Sequence, residues 1–237
     1  DDYLTGKSKW QVDEAVFGAG LGYSEQHDLL LQAGAAARDR LSSEVGQGMA
    51  VHSAADGSTR WKKASLRYTG PCILHNDLII TNTNSYAESA GAFYLLDGSQ
   101  KLVPNPITGQ MQPWKITRAY GCNNIVASEN MLTFRSGAAG YYDLQTDAGT
   151  GNLGGFKSGC TSNLVVANGV LNAPDYTRTC SCAYQNQTSL ALVHMPEVEL
   201  WSVNTAASVK THGQRIDRVG LNFGAAGDRR DTNGLLW

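Results

Sequence analysis

Cys180 and Cys182 stand one residue apart in the stretch TRTCSCAYQNQTS, residues 177–189. Thiols at that spacing can serve as a metal hook, a redox pair, or the ends of two disulfide staples. The chain holds five cysteines, the others being Cys72, Cys122 and Cys160. Cys-x-Cys is not the Cys-x2-Cys of a zinc ribbon, and no histidine stands at ligand spacing beside it, so no metal site is expected. A Cys-x-x-Cys-His haem attachment is absent too. Stapling is the reading preferred, and it implies an oxidising compartment. An odd count leaves at least one thiol over. Because alternate residues of an extended segment point to opposite faces, Cys180 and Cys182 are expected to seek different partners. A second group of residues could bind a ligand: His75, Arg118, Tyr120, Asn123, Arg135, Asn172, Asp175, Tyr176 and Arg178. Guanidinium forks grip carboxylates bidentately, and aromatic faces hold planar or sugar rings. No Gly-x-Ser-x-Gly, P-loop or dinucleotide fingerprint occurs.

What must position these residues is a chain rich in turns. Glycine contributes 26 of 237 residues, which favours many short elements. The formal net charge of −2 gives no reason to expect nucleic acid or an anionic membrane as partner. No run approaches the roughly 18 apolar residues of a membrane span. The opening DDYLTGKSKW is polar and lacks both Met and a signal peptide, so we read the chain as a mature or excised piece of a longer protein. Helical periodicity is weak. Short apolar or alternating runs recur instead, in DLLLQAG from Asp28, DLIITNT from Asp77, NMLTFRS from Asn130 and GVLNAPD from Gly169. Each follows a short strand and a turn. Each leads to a third strand and closes on an aromatic: Trp61, Trp114, Phe156 and Trp201. Trp10 would close a preceding unit. Units of four antiparallel strands repeating every 40 to 50 residues or so have the period of propeller blades. The fold expected is therefore all-β, with blades over about 17–61, 62–114, 115–157 and 158–201. Residues 1–16 would end a preceding blade or link to one, and residues 202–237 would form a closing strand or a linker to a further domain.

The repeat also resembles a family. VHSAADGSTRWKK, residues 51–63, looks like the A-x-D-x-x-T-G-x-x-x-W signature of pyrroloquinoline-quinone-type (PQQ-like) β-propeller blades, and LDGSQKLVPNPITGQMQPW, residues 96–114, looks like a blade end carrying an insertion. Three further stretches, at 118–144, 154–201 and 215–237, resemble uncharacterised PQQ-like repeat proteins of planctomycete-type bacteria. In that family each Trp docks on the turn of the neighbouring blade, and complete rings commonly have eight blades. The resemblance thus implies a partial propeller with about four blades present, in a bacterial multidomain protein placed outside the cytoplasm, in the periplasm or secreted.

With blades drawn, Cys72, Cys122 and Cys160 fall at the start of equivalent innermost strands. The loop bearing Cys180 and Cys182 then returns to the same rim. A crosslink from that loop to Cys122 or Cys160 is expected, and closing a loop of about 40 residues is worth roughly 3–4 kcal/mol. The arginines, Tyr120, Tyr176 and the amides gather at that rim as well. A non-catalytic binding or scaffold module is the first reading, its partners being other domains of the same longer chain and a small-molecule or saccharide ligand. The alternatives are a quinoprotein dehydrogenase-like propeller binding pyrroloquinoline quinone with Ca²⁺, and a polysaccharide-binding or polysaccharide-active propeller. Quinone enzymes of the family use vicinal cysteines and a Trp floor. Here Ser181 separates the cysteines and no Trp falls on an expected inner strand, which ranks the scaffold first. No catalytic residue is assigned.

Overall fold

The computed structural model describes residues 2, 4–12, 20–34, 47–83, 89–105, 107–121, 124–156, 164–174, 189–193 and 203–204. Its regular structure among these residues is entirely β. Among the described residues no helix is long and apolar enough to cross a membrane. The chain divides into two compact units, one of Asp1–Thr83, Ser89–Val103 and Met111–Lys115, the other of Asn84–Glu88, Pro104–Gln110 and Ile116–Trp237.

The first unit holds two repeats of the same plan. In the first repeat β1 (Gly20–Ser24), β2 (Leu29–Ala33), β3 (Met49–Ser53) and β4 (Thr59–Lys63) form a sheet in chain order, every pair antiparallel. The second repeat pairs β5 (Thr69–His75), β6 (Leu78–Asn82) and β7 (Ala92–Tyr94) in the same way, and a bridge between Phe93 and Gln100 stands where a fourth strand would begin. The two-stranded sheet of β8 (Leu102–Pro104) and β9 (Met111–Pro113) is the insertion expected from residues 96–114.

Period-2 patterning decides which face of each strand is buried. Leu29, Leu31 and Ala33 of β2 alternate with less buried neighbours, and with Met49 and Val51 they meet Ile79, Phe93 and Leu95 of the next repeat in one apolar cluster. All eight are nearly or fully withdrawn from water. Burying each large aliphatic side chain contributes about 1.5–3 kcal/mol. Face-to-face packing of two sheets is therefore what holds this unit together.

The second unit repeats the plan. β10 (Val126–Ala127), β11 (Met131–Ser136), β12 (Ala138–Asp143) and β13 (Thr150–Asn152) form the third repeat, and β17 (Val203–Asn204) adds a fifth strand beyond β13. Among the described residues the fourth repeat has three strands, β14 (Val165–Ala167), β15 (Val170–Ala173) and β16 (Leu190–Val193). Ala139 and Phe156 of the third repeat share a core with Leu164 and Ala173 of the fourth, flanked by Leu171, Leu190 and Leu192. The Thr133 hydroxyl donates to the Leu164 carbonyl at 2.6 Å across this junction.

Two local features recur and account for the repeat physically. The tight turn between the first two strands uses a residue at positive φ: Asp28, Asn76 and Asn168 in the first, second and fourth repeats. Asp and Asn tolerate that conformation because a short polar side chain bonds locally. The residue just before the second strand then accepts a main-chain hydrogen bond from the turn after the third. Ala54 N–H donates to Asp28, Leu95 N–H to Asp77 and Leu144 N–H to Asn130, at 2.9, 2.8 and 2.9 Å. Those three bonds fix the equivalence of the repeats residue by residue.

Candidate functional site

The turns that follow the third strands show how one sheet is held to the next. In the first repeat Asp56 accepts from the backbone and hydroxyl of Ser58, and in the second Asp97 accepts likewise from Ser99. These bonds hold both carboxyls below the usual range, Asp56 at about 2. The turns so shaped present Gly57 and Gly98 at φ of 74° and 70°. A tryptophan ring lies on each glycine. The Trp10 indole donates to the Ala54 carbonyl at 2.8 Å, and the Trp61 indole to the Leu95 carbonyl at 2.7 Å. A Cβ on Gly57 would sit 2.6 Å from the Trp10 ring, and one on Gly98 would sit 2.8 Å from Trp61. Trp61 belongs to the sheet of the first repeat and docks on the turn of the second. Trp114 is 1% exposed, with the Lys101 ammonium 4.9 Å from its ring centre.

The sequence-nominated ligand residues fall into three sets. Arg118, Tyr120 and Arg135 come together in the second unit. The loop before β10 carries Arg118 and Tyr120, and β11 carries Arg135 near its end. The loop is clamped there by four contacts. Ala119 N–H donates to the Ser136 hydroxyl at 2.9 Å, Gly137 N–H donates to the Tyr120 carbonyl, the Arg118 Nη2 donates to the Gly121 carbonyl at 3.2 Å, and the Arg135 guanidinium stacks on Tyr120 with 4.9 Å between its carbon and the ring centre. Gly121 lies so close that a Cβ there would run into the Arg135 carbonyl. Ser136 in turn accepts through its carbonyl from the Asn152 amide at 2.9 Å. Arg118 and Arg135 are 7% and 3% exposed, whereas Tyr120 is 42% exposed. Two guanidinium charges are thus withdrawn from water beside an aromatic face that remains open. In such surroundings their attraction for an anion is less screened than at the surface.

The second set lies on other strands. Asn172 on β15 spends its amide on the carbonyls of Val165 and Val170, at 3.3 and 3.4 Å, within its own sheet. His75 ends β5 in the first unit. The third set, Asn123, Asp175, Tyr176 and Arg178, lies outside the described residues, as do Cys122, Cys160, Cys180 and Cys182. Cys72 is a free thiol inside β5. It packs against the apolar cluster of the first unit, and burial pushes it up to about 12. Sequence reasoning missed Ser136, Gly121 and Gly137, the parts that hold Arg118 and Arg135 in place. The pairing of Tyr120 with Ser136-Gly137 had one visible signal, a glycine after each segment. His52 was also passed over as scattered. It is 6% exposed and bonded between Gln32 at 3.3 Å and Thr59 at 3.2 Å.

Among the described residues the regular structure is a series of antiparallel β repeats, with a tryptophan docked onto successive turns in the first unit. No family model matches the chain. No curated protein matches it either. Among solved structures it is similar to BamB from Moraxella catarrhalis, with a TM-score of 0.40 and 18% identity over 69% of this chain and 45% of that one. The chain therefore spans less than half the length of that structure.

Proposed function

We propose that this chain is part of a PQQ-like β-propeller that works as a non-catalytic binding or scaffold module in a larger extracytoplasmic protein. The supporting observation is the repeated tryptophan dock, in which Trp10 and Trp61 make the same hydrogen bond to equivalent carbonyls and cover equivalent glycines. A device used twice at equivalent positions is what a ring of blades requires, since each sheet must bury one face against the next. The four repeats would be about half of an eight-bladed ring, and disulfides from the 180–182 loop would staple its rim.

Within that module we take the cluster of Arg118, Tyr120 and Arg135 as the ligand site; the other residues nominated with it, Asn123, Asp175, Tyr176 and Arg178, lie outside the described residues. Buried guanidiniums select an anion, and an exposed tyrosine face selects a ring. A carboxylated saccharide has both. Pyrroloquinoline quinone is also a carboxylated ring system, but the described tryptophans do not suit it. Trp61 lies on an outer strand, Trp10 caps an outer turn and Trp114 follows β9, so none offers the floor on which the quinone stacks. The test is calorimetric titration of the protein with oligogalacturonate, and separately with pyrroloquinoline quinone plus Ca²⁺. Oligogalacturonate should bind, and Arg135→Gln should weaken it by about tenfold or more, the scale of a lost charged hydrogen bond. Tight binding of the quinone alone would replace the saccharide reading with the cofactor one. Binding of neither would remove the ligand site.

A further inference from the structure

The hairpin of β11 and β12 ends in a tight tip, and that tip grips the loop of the ligand site. Ser136 pairs with Ala138, so Gly137 alone turns the chain, at a φ of 76°. Glycine adopts that conformation without the strain a Cβ would bring. The tip takes hold of two successive residues of the loop. The Ser136 hydroxyl accepts from the Ala119 N–H at 2.9 Å, and the Gly137 N–H donates to the Tyr120 carbonyl. Tyr120 is thereby held with its ring against the Arg135 guanidinium, whose carbon lies 4.9 Å from the ring centre. Where Tyr120 stands relative to Arg135 thus depends on where the tip stands.

Two residues outside the loop fix the tip, and they form one cross-strand pair. Gly140 of β12 lies opposite Asn152 of β13. The Asn152 amide donates to the Ser136 carbonyl at 2.9 Å, while its Oδ1 accepts from the Gly154 N–H at 2.7 Å. An asparagine bonded through both its amide nitrogen and its oxygen cannot rotate without losing a bond, so the Ser136 carbonyl has a fixed donor. Gly140 acts through the side chain it lacks. A Cβ there would stand 2.9 Å from the Ser136 Cβ and 3.2 Å from the Phe134 carbonyl oxygen. Glycine at this position lets Ser136 lie close against the β12 backbone. A line of contacts therefore runs from β12 and β13 through Ser136 to the main chain of Ala119 and Tyr120.

We propose that Asn152 and Gly140 are positioning residues for the site of Arg118, Tyr120 and Arg135, acting through Ser136. They set the tyrosine face against the guanidinium before a ligand arrives, which lessens the ordering that binding itself must bring about. The inference rests on the ligand-site reading above and extends that site to its supports on β12 and β13.

Fluorine NMR of the whole chain labelled with 3-fluorotyrosine, run beside titration with oligogalacturonate, tests it. Tyr120→Phe assigns the resonance of position 120, and Arg135→Gln shows where that resonance lies without the stacked guanidinium. Asn152→Leu keeps the bulk of the side chain and removes both of its bonds. It should move the position-120 resonance toward that of Arg135→Gln and weaken oligogalacturonate about three- to tenfold, the scale of one neutral hydrogen bond. Thr133→Val removes a buried hydrogen bond to Leu164 from the same strand. It should leave the resonance and the affinity at parent values, whereas a role confined to stability would make it resemble Asn152→Leu. A position-120 resonance left in place by Asn152→Leu overturns the proposal. So does a displaced resonance with unchanged affinity. Should Asn152→Leu fail to fold, Ser136→Ala, which removes only the hydroxyl, decides by the same two readings. A parent chain that binds no oligogalacturonate removes the ligand reading, and the fluorine resonance then decides by itself whether Asn152 positions Tyr120.

Discussion

Gly57 and Gly98 carry two demands at once. Their φ values of 74° and 70° lie in the left-handed region, where a Cβ costs about 1–2 kcal/mol. The indole faces of Trp10 and Trp61 also occupy the space that a Cβ would take. Unlike a long side chain, an indole bonded to a carbonyl has little room to retreat. Gly98→Ala should therefore destabilise the fold by about 2–4 kcal/mol, the sum of backbone strain and overpacking. Gly109, at φ 72° with open space around it, should lose only the backbone part. Equal urea midpoints for the two variants would refute the steric half of this account. The same scale shows what the sequence could reveal of the ligand site. Arg118, Tyr120 and Arg135 were nominated because their types bind carboxylates and rings, and the structure does bring these three together. The clamp of Ser136, Gly121 and Gly137 was not legible, since it depends on a loop folding back onto a strand end 15 or so residues later. A hydroxyl accepting from a distant N–H leaves no periodic trace. Asn172, nominated with them, donates its amide to the carbonyls of Val165 and Val170.

At the scale of elements, the strands were legible where period-2 burial is strong. DLLLQAG and DLIITNT became β2 and β6, flanked by turns whose Asp or Asn takes a positive φ. The closure on Trp61 was legible too, because a large ring directly after the Asp56-Gly57-Ser58 turn is a local pattern with a physical use; Trp114 follows its Asp97-Gly98-Ser99 turn only after the β8–β9 insertion. Less visible was β17, which lies far from β13 in sequence and pairs through only two residues. No local pattern announces such a partner. The closures differ in burial, and this gives a graded prediction. Trp114 is fully enclosed, so Trp114→Ala should cost about 3–5 kcal/mol, the usual result of emptying a large core site. Trp61 is only partly buried, so Trp61→Ala should cost less. Trp61→Phe should isolate its bond to the Leu95 carbonyl at about 1 kcal/mol. Urea denaturation of the three variants, with iodide quenching to rank indole exposure, measures the series. A Trp114 quenched as readily as Trp61 would contradict the burial on which the ranking stands.

At the scale of the whole molecule, titration sets the pH range over which the sheets stay packed. On the acid side Asp56 sits at about 2 and Asp97 is also lowered, both held down by serine hydroxyls and N–H groups. Each contributes stability above its unfolded value, near 4, and loses it as pH falls through the folded value. Both carboxylates are on exposed turns, so this acid limb is shallow. On the alkaline side the logic reverses. Cys72 is raised by burial to about 12 from an ordinary 9, and Tyr68, whose hydroxyl donates to the Gly48 carbonyl at 2.8 Å, is raised by burial as well. Between pH 9 and 12 the unfolded chain has given up the Cys72 proton while the folded chain still holds it. The unfolded state then binds fewer protons, and stability falls as pH rises, by at most about 1.4 kcal/mol per pH unit for one such thiol. The thiol packs against the apolar cluster joining the first two repeats, so its ionisation would weaken their packing. Urea midpoints should be highest between about pH 5 and 8 and should decline above 9. Cys72→Ala should flatten part of that decline while leaving the acid limb unchanged. An alkaline slope identical in parent and variant would show that the Cys72 thiol meets water in the folded state.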